Sequence, residues 1–167
     1  MRVRTSHTFP VSAPSFWKDI YFHKEYNATL YKERIRARAY DLVEFTETDT
    51  EIRKKVRVVP EQSAPRIIQK LISGEFSYTE EGTFSKKDGV YRFRITPSVK
   101  PDKITVTGVV TVKAAGDRSV TRTIEVDLKA DIFAVGGQIE KFVGEQIEKG
   151  YNASYDFTLK WIKDHNL

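Results

Sequence analysis

The three histidines, His7, His23 and His165, are the side chains of this chain whose ordinary pKa lies closest to neutrality. They are far apart in sequence and show no HExxH-type metal spacing, and a chain with no cysteine has neither thiolate ligands nor a cysteine nucleophile. No GxSxG elbow, GxGxxG loop or phosphate-binding loop occurs. The lone "GGQIEK" sits inside a helical pattern with no parallel βαβ context. No cofactor, metal or catalytic residue is therefore expected, and the chemistry rests with charges that strand alternation turns inward.

Successive strand residues point to opposite sheet faces. Residues 2–11 put Val3, Thr5, His7, Phe9 and Val11 on one face. Residues 51–60 give Ile52, Lys54, Val56 and Val58; 75–86 give Phe76, Tyr78, Glu80 and Phe84. Residues 89–97 give Tyr91, Phe93 and Ile95, and 118–131 give Val120, Arg122, Ile124, Val126 and Leu128. His7, Lys54, Glu80 and Arg122 thus project toward the interior. A buried charge must pair, reach solvent or meet a ligand. Two readings stay open: Glu80 pairs with Arg122 or Lys54, or a bulge turns one of them out; alternatively Arg122 or Lys54 anchors the polar end of an apolar ligand. For proton transfer, His7 and Glu80 are the candidates, and they need hydrogen-bond reach.

These strands belong to one series of elements. A chain of 167 residues, 40% hydrophobic and 31% charged, is one globular domain by length and composition. Ser12 and Pro14 start a helical segment over 12–34, as one broken helix or two short ones. A strand is expected at 34–48, turning at "TDTE" into 51–61, followed by a short helix in "SAPRIIQKLISG" capped by Ser63 with Pro65 early and Gly74 at its end. Strands follow at 75–86, 89–97, 103–114 and 118–131, and a last helix at 136–165, roughly 40 Å long at about 1.5 Å per residue. Seven strands in hairpin order with a long terminal helix make an antiparallel α+β domain.

In that helix Ile139, Phe142, Val143, Ile147, Phe157 and Trp161 form one stripe, with Gly136, Gly150 and Ser154 inside it and Gly137 and Gly144 on its flank. An interior glycine costs a helix about 1 kcal/mol relative to alanine. Gly150 and Ser154 leave a gap in mid-face. Either a bulky sheet residue such as Tyr78, Tyr91 or Phe93 fills it, or it borders an internal cavity.

The order of elements resembles the helix-grip fold of START-like proteins, the superfamily of Bet v 1 allergens, lipid-transfer START domains and polyketide cyclases. Local likeness lies in "VDLKADIFAVGGQIEKFVGEQIEKG", a last strand turning through Gly-Gly into the final helix, and in "APRIIQKLISGEFSYTEEGTF". Both are similar to a bacterial family of uncharacterised START-like proteins. The resemblance implies a pocket between a curved sheet and the C-terminal helix that holds an apolar small molecule or lipid, for binding and possible transport. The expected walls are Val43, Phe45, Tyr78, Tyr91, Phe93, Val106, Ile124, Ile139, Phe142, Val143 and Ile147, with Lys54, Glu80 or Arg122 orienting one polar end. A cyclase- or dehydratase-like enzyme in the same pocket is the alternative.

Net charge is +5. Arg34, Arg36, Arg38, Arg53, Lys55 and Arg57, with Arg92 and Arg94, are expected to form a positive patch on adjacent strands. Such a patch suits weak contact with an anionic membrane surface; without an aromatic stacking motif, nucleic acid is not an expected partner. The absence of cysteine, of an apolar leader and of any run of eighteen apolar residues fits a cytoplasmic protein.

Overall fold

A computed structural model describes residues 1–61, 66–70 and 74–167. The elements are β1 (Arg2–Phe9), α1 (Ala13–Ser15), α2 (Lys24–Thr29), β2 (Ala39–Glu47), β3 (Glu51–Val59), α3 (Arg66–Gln69), β4 (Tyr78–Ser85), β5 (Val90–Pro97), β6 (Ile104–Gly116), β7 (Ser119–Ala130) and α4 (Gly136–Asp164). Wider π-helical turns extend α1 through Phe16–Tyr21 and α2 through Leu30–Arg34. Ser63 and Pro65, expected to start the short helix, lie outside the described residues; of that helix, Arg66–Gln69 is seen.

Among the described residues the sheet has seven antiparallel strands in the order β1-β7-β6-β5-β4-β3-β2. Strands β2 to β7 form a meander, so each hairpin places sequence neighbours side by side. The N-terminal β1 closes the far edge by pairing with β7 from Arg2↔Asp127 to Phe9↔Val120. The α+β helix-grip architecture is thus as the sequence implies.

Two local expectations are corrected. Residues 34–38 are not strand: Leu30–Arg34 is a π-helical turn and Arg36 has φ of 56°, so the Arg-x-Arg-x-Arg alternation is not a sheet face. In β2 the register shifts between Leu42 and Glu44, leaving Val43 as an extra residue. A bulge of this kind reverses the alternation beyond it. Phe45 therefore turns inward while Val43 is 57% exposed.

Helix α4 packs against β1, β7 and the turn Leu30–Arg34. The inner face of β4 and β5 meets the earlier helical segment instead: Trp17 is 4.5 Å from Phe84 and Tyr21 5.3 Å from Tyr91, centroid to centroid. Ser12 Oγ accepts from the Ser15 amide at 3.3 Å and caps α1 as expected. His23 is half-buried; its Nδ1 accepts from the Tyr26 amide at 3.2 Å and starts α2. In the same turn the Tyr26 hydroxyl bonds the Thr158 hydroxyl at 2.6 Å in the core, tying α2 to α4.

Candidate functional site

The four inward charges separate into two groups. On β3 and β4, Lys54 Nζ lies 3.7 Å from Glu80 Oε1, both nearly buried. Glu80 Oε1 also accepts from the Tyr91 hydroxyl at 3.1 Å. The Lys54 ammonium stands over the rings of Tyr21 and Tyr91 at 5.1 and 5.5 Å. A buried carboxylate needs both a cation and further hydrogen bonds, and Glu80 has them.

On β1 and β7, Arg122 Nη2 donates to His7 Nδ1 at 2.9 Å. The other ring nitrogen of His7, Nε2, donates to Asn152 Oδ1 at 3.0 Å. Burial first, and the neighbouring Arg122 charge second, hold the His7 pKa below its ordinary value. Arg122 is 4% exposed, and burial lowers its pKa too. Among the described residues its buried Nε has no partner. Glu80 therefore pairs with Lys54 and not with Arg122.

The candidate acid–base pair is not assembled. His7 and Glu80 lie four strand positions apart around the sheet, each bonded to other partners. No direct proton transfer joins them at that separation.

Six phenols respond to these charges. Tyr21, Tyr31, Tyr40, Tyr78, Tyr91 and Tyr151 all have raised pKa values, with burial the largest cause in each and the Glu80 carboxylate contributing to all six. Arg122 opposes this at Tyr21 and Tyr151, which therefore sense both charges. Tyr91 is fully buried, whereas Tyr21, Tyr31, Tyr40, Tyr78 and Tyr151 keep part of their surface accessible.

Of the expected wall residues, Phe93, Val106, Ile124 and Ile139 are buried in the core with Tyr91, and Phe45, Tyr78, Phe142, Val143 and Ile147 are partly accessible. Val43 is outside. Tyr21, Tyr31, Tyr40 and Tyr151 were not anticipated. Tyr151 had a signal, since Val143, Ile147 and Tyr151 recur every four residues along α4.

Tyr91 and Phe93 do not fill the gap on α4. Their rings lie over glycines of adjacent strands: a Cβ at Gly82 would stand 2.2 Å from Tyr91 Cζ, and one at Gly108 2.2 Å from Phe93 Cζ. A Cβ at Gly150 meets nothing within 4 Å. Ser154 is buried, its hydroxyl donating to the Tyr151 carbonyl at 2.8 Å.

Two concavities frame this region. One, of about 190 Å³, is bounded by Phe22, Lys24, Asn27, Ala28, Tyr40, Leu42, Phe45 and Lys54. Small-molecule sites typically measure roughly 300–1,000 Å³, so this is a mouth or a part of a site. The other, of about 700 Å³, is an open groove that includes Arg53, Lys55, Arg92 and Arg94 on the outer sheet face. Two of these cations are matched, Lys55 by Glu81 and Arg53 by Glu51 at 2.7 Å, while Arg92 and Arg94 have no ion pair among the described residues. Arg57 likewise pairs with Asp41 at 3.6 Å, Arg38 with Glu75 at 3.1 Å and Arg34 with Asp156 at 3.6 Å. The expected positive patch is reduced accordingly. No described helix is long and apolar enough to cross a membrane, and no described cluster of His, Asp or Glu could hold a metal ion.

Over residues 4–162 the sequence matches the DUF2505 family, whose description is "Protein of unknown function". No curated protein matches it. Among solved structures it is similar to the Zhui aromatase/cyclase from Streptomyces sp. R1128, with TM-score 0.68, 10% identity, and 100% of this chain and 96% of that chain covered. It is also similar to norcoclaurine synthase from Thalictrum flavum in complex with dopamine and hydroxybenzaldehyde, with TM-score 0.64, 10% identity, and 96% and 87% covered. A START superfamily protein from Mycobacterium smegmatis gives TM-score 0.53 at 11% identity, with 93% and 94% covered. At these identities the likeness is one of fold, and that fold is START-like.

Proposed function

Starting from a chain that belongs to the DUF2505 family and has a START-like fold, we propose that it binds a hydrophobic small molecule between the sheet, the Phe16–Arg34 helical segment and α4. One observation carries the reading. Tyr21, Tyr31, Tyr78 and Tyr151 sit where burial dominates their ionisation, yet each keeps accessible surface. Side chains in apolar surroundings that keep some surface are the ones a guest could touch, which is how the walls of a small-molecule site are composed. The empty space beside Gly150 and the partly accessible Val143 and Ile147 extend the same wall along α4.

The proposed site is apolar on its walls and polar at its ends, the usual composition of a small-molecule pocket. Aromatic rings supply flat contact area, and the phenol hydroxyls supply donors and acceptors for a bound guest. The 190 Å³ opening between α2 and β2 is the proposed entrance, since Lys54 borders both it and Tyr21. The outer groove is a poorer site: it is open, and two of its cations are already paired, Lys55 with Glu81 on the next strand and Arg53 with Glu51 on its own.

Native mass spectrometry of the purified protein tests this. A non-covalently retained organic molecule, released on denaturation, is the expected result. Protein that emerges empty and also fails to take up the neutral fluorophore N-phenyl-1-naphthylamine would overturn the reading.

A further inference from the structure

The interior charges do not balance. Lys54 and Glu80 neutralise each other at 3.7 Å, but Arg122, at 4% exposure, has no carboxylate within ion-pair distance among the described residues. Every group that holds it is neutral. His7 Nδ1 accepts from Nη2 at 2.9 Å, and the rings of Phe9 and Tyr151 lie 5.1 and 5.5 Å from its central carbon. His7 receives from Arg122 on one nitrogen and donates to Asn152 from the other, so its tautomer is fixed and it carries no charge. The guanidinium is aimed without being neutralised, and its buried Nε has no partner among the described residues. A buried, uncompensated charge is strongly unfavourable, and a protein that retains one has a counter-charge to receive.

Resting on the small-molecule binding reading above, we propose that the bound molecule is an apolar monocarboxylate whose carboxylate engages Arg122. Tyr151 faces both the guanidinium and the Glu80 field, so the same wall runs from the acidic group, already neutralised by Lys54, to the unmatched cation. One positive charge calls for one negative charge; a phosphate dianion would leave a surplus buried charge of its own. A planar carboxylate also matches the guanidinium fork.

The carboxylate could end an alkyl chain or an aromatic ring system, and the test separates the two. Displacement of N-phenyl-1-naphthylamine is measured with decanoate against decan-1-ol, and with 2-naphthoate against 2-naphthylmethanol. In the pair of the right shape the acid is expected to compete at about tenfold lower concentration than the alcohol, the preference that one charge-assisted hydrogen bond confers. Arg122→Gln should bring that ratio near one while still binding the fluorophore, and Arg122→Lys should keep most of it. In unaltered protein the favoured acid, and not its alcohol, should shift the Arg122 Nε–H resonance. That measurement decides the matter if Arg122→Gln fails to fold. Equal competition by acid and alcohol, with the fluorophore bound, would overturn the carboxylate and leave the binding reading intact. A preference that survives Arg122→Gln would move the anchor elsewhere and equally sink the proposal. Failure of the fluorophore and of all four competitors would remove the binding reading, and this inference with it.

Discussion

Phe93 on β5 lays its ring across Gly108 on β6, so closely that a Cβ at position 108 would fall 2.2 Å from Cζ. Tyr91 does the same over Gly82 of β4. The glycines let two large rings lie flat along the sheet instead of standing up from it.

Gly108→Ala and Gly82→Ala should therefore each destabilise the protein, although alanine suits a strand better than glycine does. Tyr91 and Phe93 are 0% and 5% exposed, and Tyr91 already packs against Tyr21 and Phe22, so the rings have little room to swing. Overpacking of this kind typically costs about 1–3 kcal/mol. Urea unfolding of the two variants measures it. Stability equal to that of the unaltered protein would mean that the rings are free to move.

Gly150 should behave in the opposite way. No atom lies within 4 Å of a Cβ built there, and the residue is inside α4. Gly150→Ala should raise stability by about 1 kcal/mol, the difference in helix propensity. Gly150→Phe, by contrast, should keep the fold and reduce uptake of N-phenyl-1-naphthylamine several-fold by occupying the proposed hollow. Thermal melts and fluorescence titration together check both halves. Loss of stability with alanine would contradict the open space.

How much of this could be read from the sequence follows from which elements obey a simple period. Alternation along β1, β3, β4, β5 and β7 places His7, Lys54, Glu80, Tyr91 and Arg122 on the inner face, where the structure has them. It fails at Val43 because one extra residue reverses the parity, and a bulge leaves no mark in a short polar–apolar pattern. It fails at Arg34, Arg36 and Arg38 because a few alternating residues also suit a wide helical turn followed by a left-handed residue. The pairing of Glu80 with Lys54 and not Arg122 depends on strand order: β3 and β4 are neighbours, whereas β7 lies three positions from β4. The phenols escaped for a different reason. Tyr21, Tyr31 and Tyr40 come from π-helical turns and a bulged strand, whose facing no regular period predicts.

His7 gives the protein a defined acid limb. Its pKa is lowered in the fold by burial and by Arg122, with Asn152 and Asp156 opposing. The unfolded chain, with histidine near pH 6.5, thus takes up a proton before the folded one does. The contribution is complete above about pH 6.5 and is lost as pH falls from there toward the depressed folded value. His7→Gln cannot titrate. Between pH 7 and 5 the melting temperature of the unaltered protein should fall more steeply than that of the variant. Parallel curves would show that His7 titrates alike in both states.

Lys54 and Glu80 supply the last expectation. Each is nearly buried, and each has the other as its charged partner at 3.7 Å. Lys54→Met leaves the carboxylate with only the Tyr91 hydroxyl, and Glu80→Gln leaves the ammonium over two rings. Breaking one side of a buried pair costs about 3 kcal/mol, because the surviving charge stays desolvated. With both charges removed no unpaired ion remains, so the double variant Lys54→Met/Glu80→Gln should be more stable than either single variant. Urea unfolding of the four proteins closes the cycle. Additive losses would mean that the two charges are independently solvated, with water reaching Lys54 through the 190 Å³ opening that it borders.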